Sequence, residues 1–97
     1  MPTFMILLNW SDQGIRGIKD QPKRAQGARD LAKKVGVEIK QIYFTTGDSD
    51  VVVFIDTLNG DSAAKFALAL SSQGNVHTRT ARAWSEAEFQ KLVSELP

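Results

Sequence analysis

Apolar positions along this chain switch between a period of two and a period near 3.6, and the switches divide it into elements. Phe4, Ile6, Leu8 and Trp10 alternate with Met5, Leu7 and Asn9, which predicts a strand from Phe4 to Trp10. Both of its faces are apolar, so it belongs in the middle of a sheet with cover on each side. Ser11 and Asp12 then offer side-chain oxygens that cap a helix start. Gly14, Gly17 and Pro22 argue against one unbroken helix. The expectation is a short helical turn at Gln13–Ile18 and a second start at Asp20. Pro22 falls in that helix's first turn, where its missing N–H costs nothing. Ala25, Ala28, Leu31, Ala32 and Val35 keep helical spacing, and Gly36 ends the run in the left-handed C-cap geometry.

Val37 to Thr45 reads as a second strand. Its first half is polar through Glu38, Lys40 and Gln41, as suits a sheet edge. Gly47-Asp48-Ser49-Asp50 carries turn chemistry, and Val51 to Ile55 is apolar at every position, the mark of a second central strand. Asn59-Gly60-Asp61-Ser62 forms a turn and cap. Ala63, Phe66, Ala67 and Leu70 supply the buried stripe of a helix that Gly74 closes. Asn75 to Ala83 alternates Thr78, Thr80 and Arg82 with His77, Arg79 and Ala81, a second edge-like strand. Ser85-Glu86-Ala87-Glu88 is a capping box, with Trp84 and Phe89 at hydrophobic-staple positions. Leu92, Val93 and Leu96 continue a terminal helix.

The order β-α-β-β-α-β plus a terminal helix predicts an α+β, ferredoxin-like fold. Right-handed crossovers give a four-stranded antiparallel sheet in the order 4-1-3-2, with two helices on one face. Two helices cover only that face. Met5 and Leu7, with either Val52 and Phe54 or Val51, Val53 and Ile55, would line the other. So large an apolar patch is unusual on a monomer. The expectation is a homodimer, or a higher homo-oligomer, packed sheet against sheet; the terminal helix is the other candidate cover.

At 97 residues the chain fits one domain, and its 42% apolar content argues against disorder. Twelve basic and eleven acidic side chains nearly cancel, leaving no global charge to attract nucleic acid or an anionic membrane. The absence of cysteine excludes disulfides, thiolate nucleophiles and Cys-type metal centres, and fits a reducing cytoplasm. The first ten residues lack a basic flank, and Asn9 interrupts their apolar run, so neither a signal peptide nor a membrane span is expected there. RNA-recognition modules of this fold need a basic residue, a glycine and surface aromatics on the third strand. Asp50-Val51-Val52-Val53-Phe54 offers one phenylalanine, so RNA binding is rejected.

Charge matters locally in one place. Arg16, Lys19, Lys23, Arg24, Arg29, Lys33 and Lys34 are seven of the twelve basic residues. The bland reading is a solvated helix face; the sharper one is a site for an anionic small molecule or an acidic partner.

Asn9-Trp10-Ser11-Asp12-Gln13-Gly14-Ile15-Arg16, with Ile18-Lys19-Asp20 and Pro22-Lys23-Arg24, resembles the N-terminal signature of GYD-domain proteins. Thr45-Thr46-Gly47-Asp48-Ser49-Asp50-Val51-Val52 falls where that family carries its Gly-x-Tyr-Asp turn, with Ser49 in place of the tyrosine. Ala63 to Leu70 and Gly74-Asn75-Val76 are similar to its second helix and the approach to its last strand. The resemblance covers most of the chain. It implies a ferredoxin-like fold of the dimeric α/β-barrel kind and no established activity. Any role of the phenol does not carry over to Ser49. Other dimeric α/β barrels include cofactor-independent monooxygenases, isomerases and effector-binding domains, a likeness of fold alone.

The candidate chemistry is sparse. His77, the one histidine, is the candidate acid/base, with Arg79 on the same strand face. Asp48 and Asp50 are read first as turn formers and second as carboxylates for a site. Asn9 and Trp10 close the first strand beside a helix start, where pockets for anions often form. Alternation sends them to opposite faces. Tyr43, the one tyrosine, lies near the turn and is a candidate to stand in for the missing phenol. Asn9, Trp10, Tyr43, Asp50 and Arg79 are thus the candidate ligand contacts. No metal site and no cofactor are expected. The favoured function is a cytoplasmic homo-oligomer that binds a small molecule between sheet and helices. The alternatives are a cofactor-independent enzyme using His77, and a pure assembly module.

Overall fold

In the computed structural model, which describes residues 1–97, β1 (Thr3–Trp10) and β3 (Val51–Thr57) form the centre of an antiparallel sheet. The edges are β2 (Val37–Phe44) and β4 (Val76–Ala83), giving the order β2-β3-β1-β4, the topology expected from the alternation. The helices α2 (Gln21–Lys34) and α3 (Gly60–Ser72) lie on one face. Between them and the sheet sits the core. Ile6, Ile55 and Phe66 are its most deeply buried large side chains, joined by Leu8, Val37, Val51, Val53, Ala63 and Leu70.

The predicted helical turn after β1 divides in two. The helix α1 (Asp12–Arg16) is capped by Ser11, whose hydroxyl oxygen accepts from the Gly14 N–H at 3.1 Å. A single 3₁₀ turn at Ile18–Asp20 follows. Asp20 takes the N-cap position of α2 but makes no capping bond, and Pro22 lies in the first turn. The helix ends at Lys34 with Val35 at its C-cap, and Gly36 follows at φ 75°.

Two features of the sheet depart from plain alternation. Val37, Ile39, Ile42 and Phe44 would not share a face at strict period two. The pairing of β2 with β3 slips between Ile39 and Gln41, and this bulge at Lys40 returns Ile42 to the helix side. In addition, β3 runs past the predicted Ile55 to Thr57. That residue is fully buried, and its hydroxyl is satisfied by donating to the Gly36 carbonyl at 3.1 Å.

On the other face of the sheet Met5 pairs with Phe54 and Leu7 with Val52. Of the two predicted patches, it is therefore Met5, Leu7, Val52 and Phe54 that no helix covers. Ala81 and Tyr43 flank them in register.

The terminal helix α4 (Glu86–Ser94) does not cover this face. It makes no extensive packing contact with another element, its Glu88 reaching only Arg82 of β4 at 3.9 Å, and the molecule is drawn out to 50 Å along its longest axis. Phe89, Leu92 and Val93 stay between 39% and 54% exposed. The staple residues Trp84 and Phe89 are exposed too, and the Arg82 guanidinium lies 4.9 Å from the Trp84 ring centroid. The start of α4 rests on its capping box: the Ser85 N–H donates to Glu88 Oε1 at 2.9 Å, and the Glu88 N–H donates to Ser85 Oγ at 3.1 Å.

The Ser85 backbone N–H, and after it the Ser85 hydroxyl, hold the Glu88 carboxyl below its ordinary value; Arg82 adds a smaller pull. A depressed folded-state value means stabilisation that is complete above the ordinary glutamate pKa and is lost as pH falls through the lowered one. Amide-exchange protection in the first turn of α4 is therefore expected to fall at acid pH. The start of α3, where the uncharged Asn59 side chain accepts from the Ser62 N–H at 2.9 Å, should hold. Equal loss at both helix starts would contradict this.

Candidate functional site

A mostly apolar cavity lies between the sheet and α2–α3, with an interior of ≈ 70 Å³. Its sheet wall comes from Leu8 and Trp10 of β1, Val51 and Val53 of β3, and Ile39, Ile42 and Phe44 of β2. Without the bulge at Lys40, the last two would point away. Ala25 and Ala28 of α2 and Phe66 and Leu70 of α3 form the roof. The room exists because α2 presents alanines there: its stripe is Ala25, Ala28, Leu31, Ala32 and Val35, small at the end nearest β1. Gln21, Arg24, Gln73 and Asn75 bring the polar groups.

Arg24 is the exception in the basic cluster. Arg16, Lys19, Lys23, Arg29, Lys33 and Lys34 are exposed, as the solvated-face reading expects; Arg24 is half-buried. Its Nη2 donates to the carbonyls of Gly14 at 2.9 Å and Gly17 at 2.8 Å, which ties α2 to α1. The signal for this was present in the sequence. Arg24 stands four residues before Ala28 and seven before Leu31, on the apolar stripe itself.

The segment carrying Arg24's carbonyl partners is held against the end of α3. The Ser11 N–H donates to Asn75 O at 3.0 Å, and Gln13 Nε2 donates to Asn75 Oδ1 at 2.9 Å and to Gln73 O at 3.2 Å. Gly14 is buried here. A Cβ on it would stand 2.0 Å from the Asn75 carbonyl oxygen, so only glycine allows the approach.

Trp10 enters the cavity from the end of β1, and its backbone is fixed by the turn. The Asp50 carboxylate accepts from the Trp10 N–H at 2.9 Å, and the Asp50 N–H donates to Leu8 O at 2.9 Å. Asp50 thus prolongs the edge of β3 with a side chain, at the point where backbone pairing stops. Gly47, at φ 125°, lets the turn fold back over β1.

The remaining candidates gather on the opposite face. Asn9 pairs in register with His77, and Leu7 with Arg79. Asn9 Nδ2 donates to Asp48 O at 2.7 Å; Arg79 Nη2 donates to Ser49 Oγ at 3.0 Å and to Asn9 Oδ1 at 3.3 Å. Asn9, Arg79 and Ser49 therefore lock the turn to the sheet, with His77 exposed beside them. Tyr43 is 51% exposed on the same face, across Val52 from Leu7. The structure brings Trp10 and Asp50 together at the cavity end of β1 and groups Asn9, Arg79 and His77 behind the sheet. Spacing gave no hint of Gln21, Gln73 or the paired bonds of Asp50, which depend on tertiary placement. No three metal-ligating side chains cluster, and no helix is long and apolar enough to cross a membrane.

The split βαβ sheet, with a turn that clasps the end of its first strand, makes this a small α+β domain. The model of the GYD domain matches residues 4–93, and the chain belongs to that family. It is also similar to a protein of Thermus thermophilus named glutamine synthetase and cystathionine beta-lyase binding protein. The two are 30% identical over 90 residues, which span 92% of this chain and 95% of the relative.

Proposed function

We infer that this chain is a homo-oligomeric binding module that takes a small molecule between its sheet and its helices. The observation that carries the reading is the cavity: a mostly apolar cleft between sheet and helices with a few polar groups in its lining, the ordinary makeup of a ligand site. His77 is not among its lining residues, which favours binding over acid/base catalysis there. The homo-oligomer rests on two unpartnered apolar surfaces of one chain, the Met5–Leu7–Val52–Phe54 face and the Phe89–Leu92–Val93 stripe of α4. Met5, Leu7, Val52 and Phe54 give the sheet face an apolar centre, and Arg79, beside Leu7, is held to Ser49 and Asn9, so two copies can meet across a two-fold axis on the apolar residues.

Filling the cavity tests the reading. Ala28→Leu adds bulk to the roof of a ≈ 70 Å³ space. In a calorimetric screen of small apolar acids, amides and alcohols, binding to the parent chain and its loss in Ala28→Leu, with the fold retained, is the expected result. Undiminished binding to Ala28→Leu would contradict it.

A second reading comes from the Thermus relative, whose name describes a binder of two enzymes. On this reading the exposed sheet face and α4 receive a protein partner. A stable oligomer of this chain that buries both surfaces would count against it.

A further inference from the structure

Two buried donors beside the cavity have nothing to donate to. Trp10 Nε1–H and Arg24 Nε–H are both shut off from solvent, and neither finds an acceptor in the chain. A buried donor left unpaired costs about 1–3 kcal/mol, and more when charged. Arg24 has no counter-ion either. The chain's ion pairs are Lys40–Glu38 and Arg82–Glu88, and both Arg24 hydrogen bonds go through Nη2 to neutral carbonyls. A half-buried guanidinium with a free Nε–H therefore stands at the end of a cavity that Trp10 also lines.

The chemistry of these groups narrows the ligand. An indole N–H and a guanidinium only donate, so the ligand must accept. The unbalanced charge calls for an anion. Arg24 is the one cation among the sixteen lining residues, which fits a monoanion and leaves the second charge of a phosphate without a partner. Twelve of the sixteen are apolar, so the body of the ligand is apolar. Resting on the cavity reading above, we propose that the ligand is a small monocarboxylate with a short apolar tail. On binding, the Arg24 and Trp10 side chains turn their N–H groups toward the space, the carboxylate oxygens accept from both, and the tail lies among Leu8, Val53, Ala28 and Phe66.

Calorimetry with hexanoate, hexanamide and hexylamine tests this on the intact chain. Hexanoate is expected to bind about tenfold or more tightly than hexanamide, as a charge-assisted hydrogen bond implies, and hexylamine not to bind. Arg24→Gln should weaken hexanoate at least about tenfold with little change for hexanamide, and Trp10→Phe should weaken hexanoate several-fold. Hexanamide binding as tightly as hexanoate overturns the carboxylate assignment and leaves the cavity reading standing; binding of neither at millimolar concentration overturns both. If Arg24→Gln fails to fold, Trp10→Phe decides alone, since it keeps the aromatic bulk and removes only the donor. Unchanged hexanoate affinity in that variant overturns the assignment.

Discussion

Gly14→Ala is expected to lower the melting temperature by roughly 10–20 °C, the largest stability loss of any single methyl added to a glycine of this chain. The added Cβ would sit 2.0 Å from the Asn75 carbonyl oxygen and 3.0 Å from its carbon, and both are backbone atoms that cannot swing aside. Either α1 lifts away or the α3–β4 connection moves. Lifting α1 stretches the Ser11 to Asn75 bond and the two Gln13 bonds, and it draws the Gly14 carbonyl away from Arg24. Overpacking and lost hydrogen bonds together come to about 3 kcal/mol. Gly27→Ala is the control. Gly27 lies within α2, and a Cβ there meets nothing within 4 Å. Removing glycine from a helix interior should stabilise by roughly 0.5–1 kcal/mol. Thermal denaturation of the two variants checks both signs, and a Gly14→Ala melting temperature within a few degrees of the parent would sink the argument.

Phe54→Asp is expected to have the largest effect on assembly. Phe54 pairs with Met5 on one side and Gln41 on the other, at the centre of the uncovered face. Across a two-fold axis one substitution places two carboxylates in an apolar interface, each without a partner. At about 2 kcal/mol or more apiece, the dissociation constant should rise by ~10³-fold. Light scattering at micromolar concentration is expected to give a multiple of 10.7 kDa for the parent chain and 10.7 kDa for the variant. Gln41→Asp, at the rim of the same face, should leave the mass unchanged. A parent chain that is already monomeric removes the homo-oligomer from the account without touching the cavity.

Much of the fold was legible because its signals are local. Strands apolar on both faces, Phe4–Trp10 and the unbroken apolar run Val51–Ile55, marked the centre of the sheet, and the polar edges followed from Glu38, Lys40 and the threonines of β4. Ser85 and Glu88 form the capping box that their spacing specifies. The open face was foreseen by counting helices against faces. What stayed hidden depends on contacts between distant segments. The bulge at Lys40 is set by where Ile42 must point once β2 is paired. Arg24 belongs to a run of basic residues, and only the neighbouring Gly14 and Gly17 carbonyls show why it turns inward. Asp50 reads as a turn former, and its bond to the Trp10 N–H spans forty residues. Alternation placed Trp10 and Asn9 on opposite faces; which face holds the cavity came only with the helices in place.

The two tryptophans give the most direct test of the central proposal, that the space between sheet and helices is the binding site. Trp10 lines the cavity, and Trp84 is exposed beside α4. Their indole N–H signals are separate reporters in one ¹H–¹⁵N correlation spectrum. Titration with hexanoate is expected to shift the Trp10 indole signal and the amides of Leu8 and Val76, and to leave Trp84 and His77 in place. Shifts confined to Trp84, His77 and the open sheet face, or no shift at millimolar hexanoate, would contradict it.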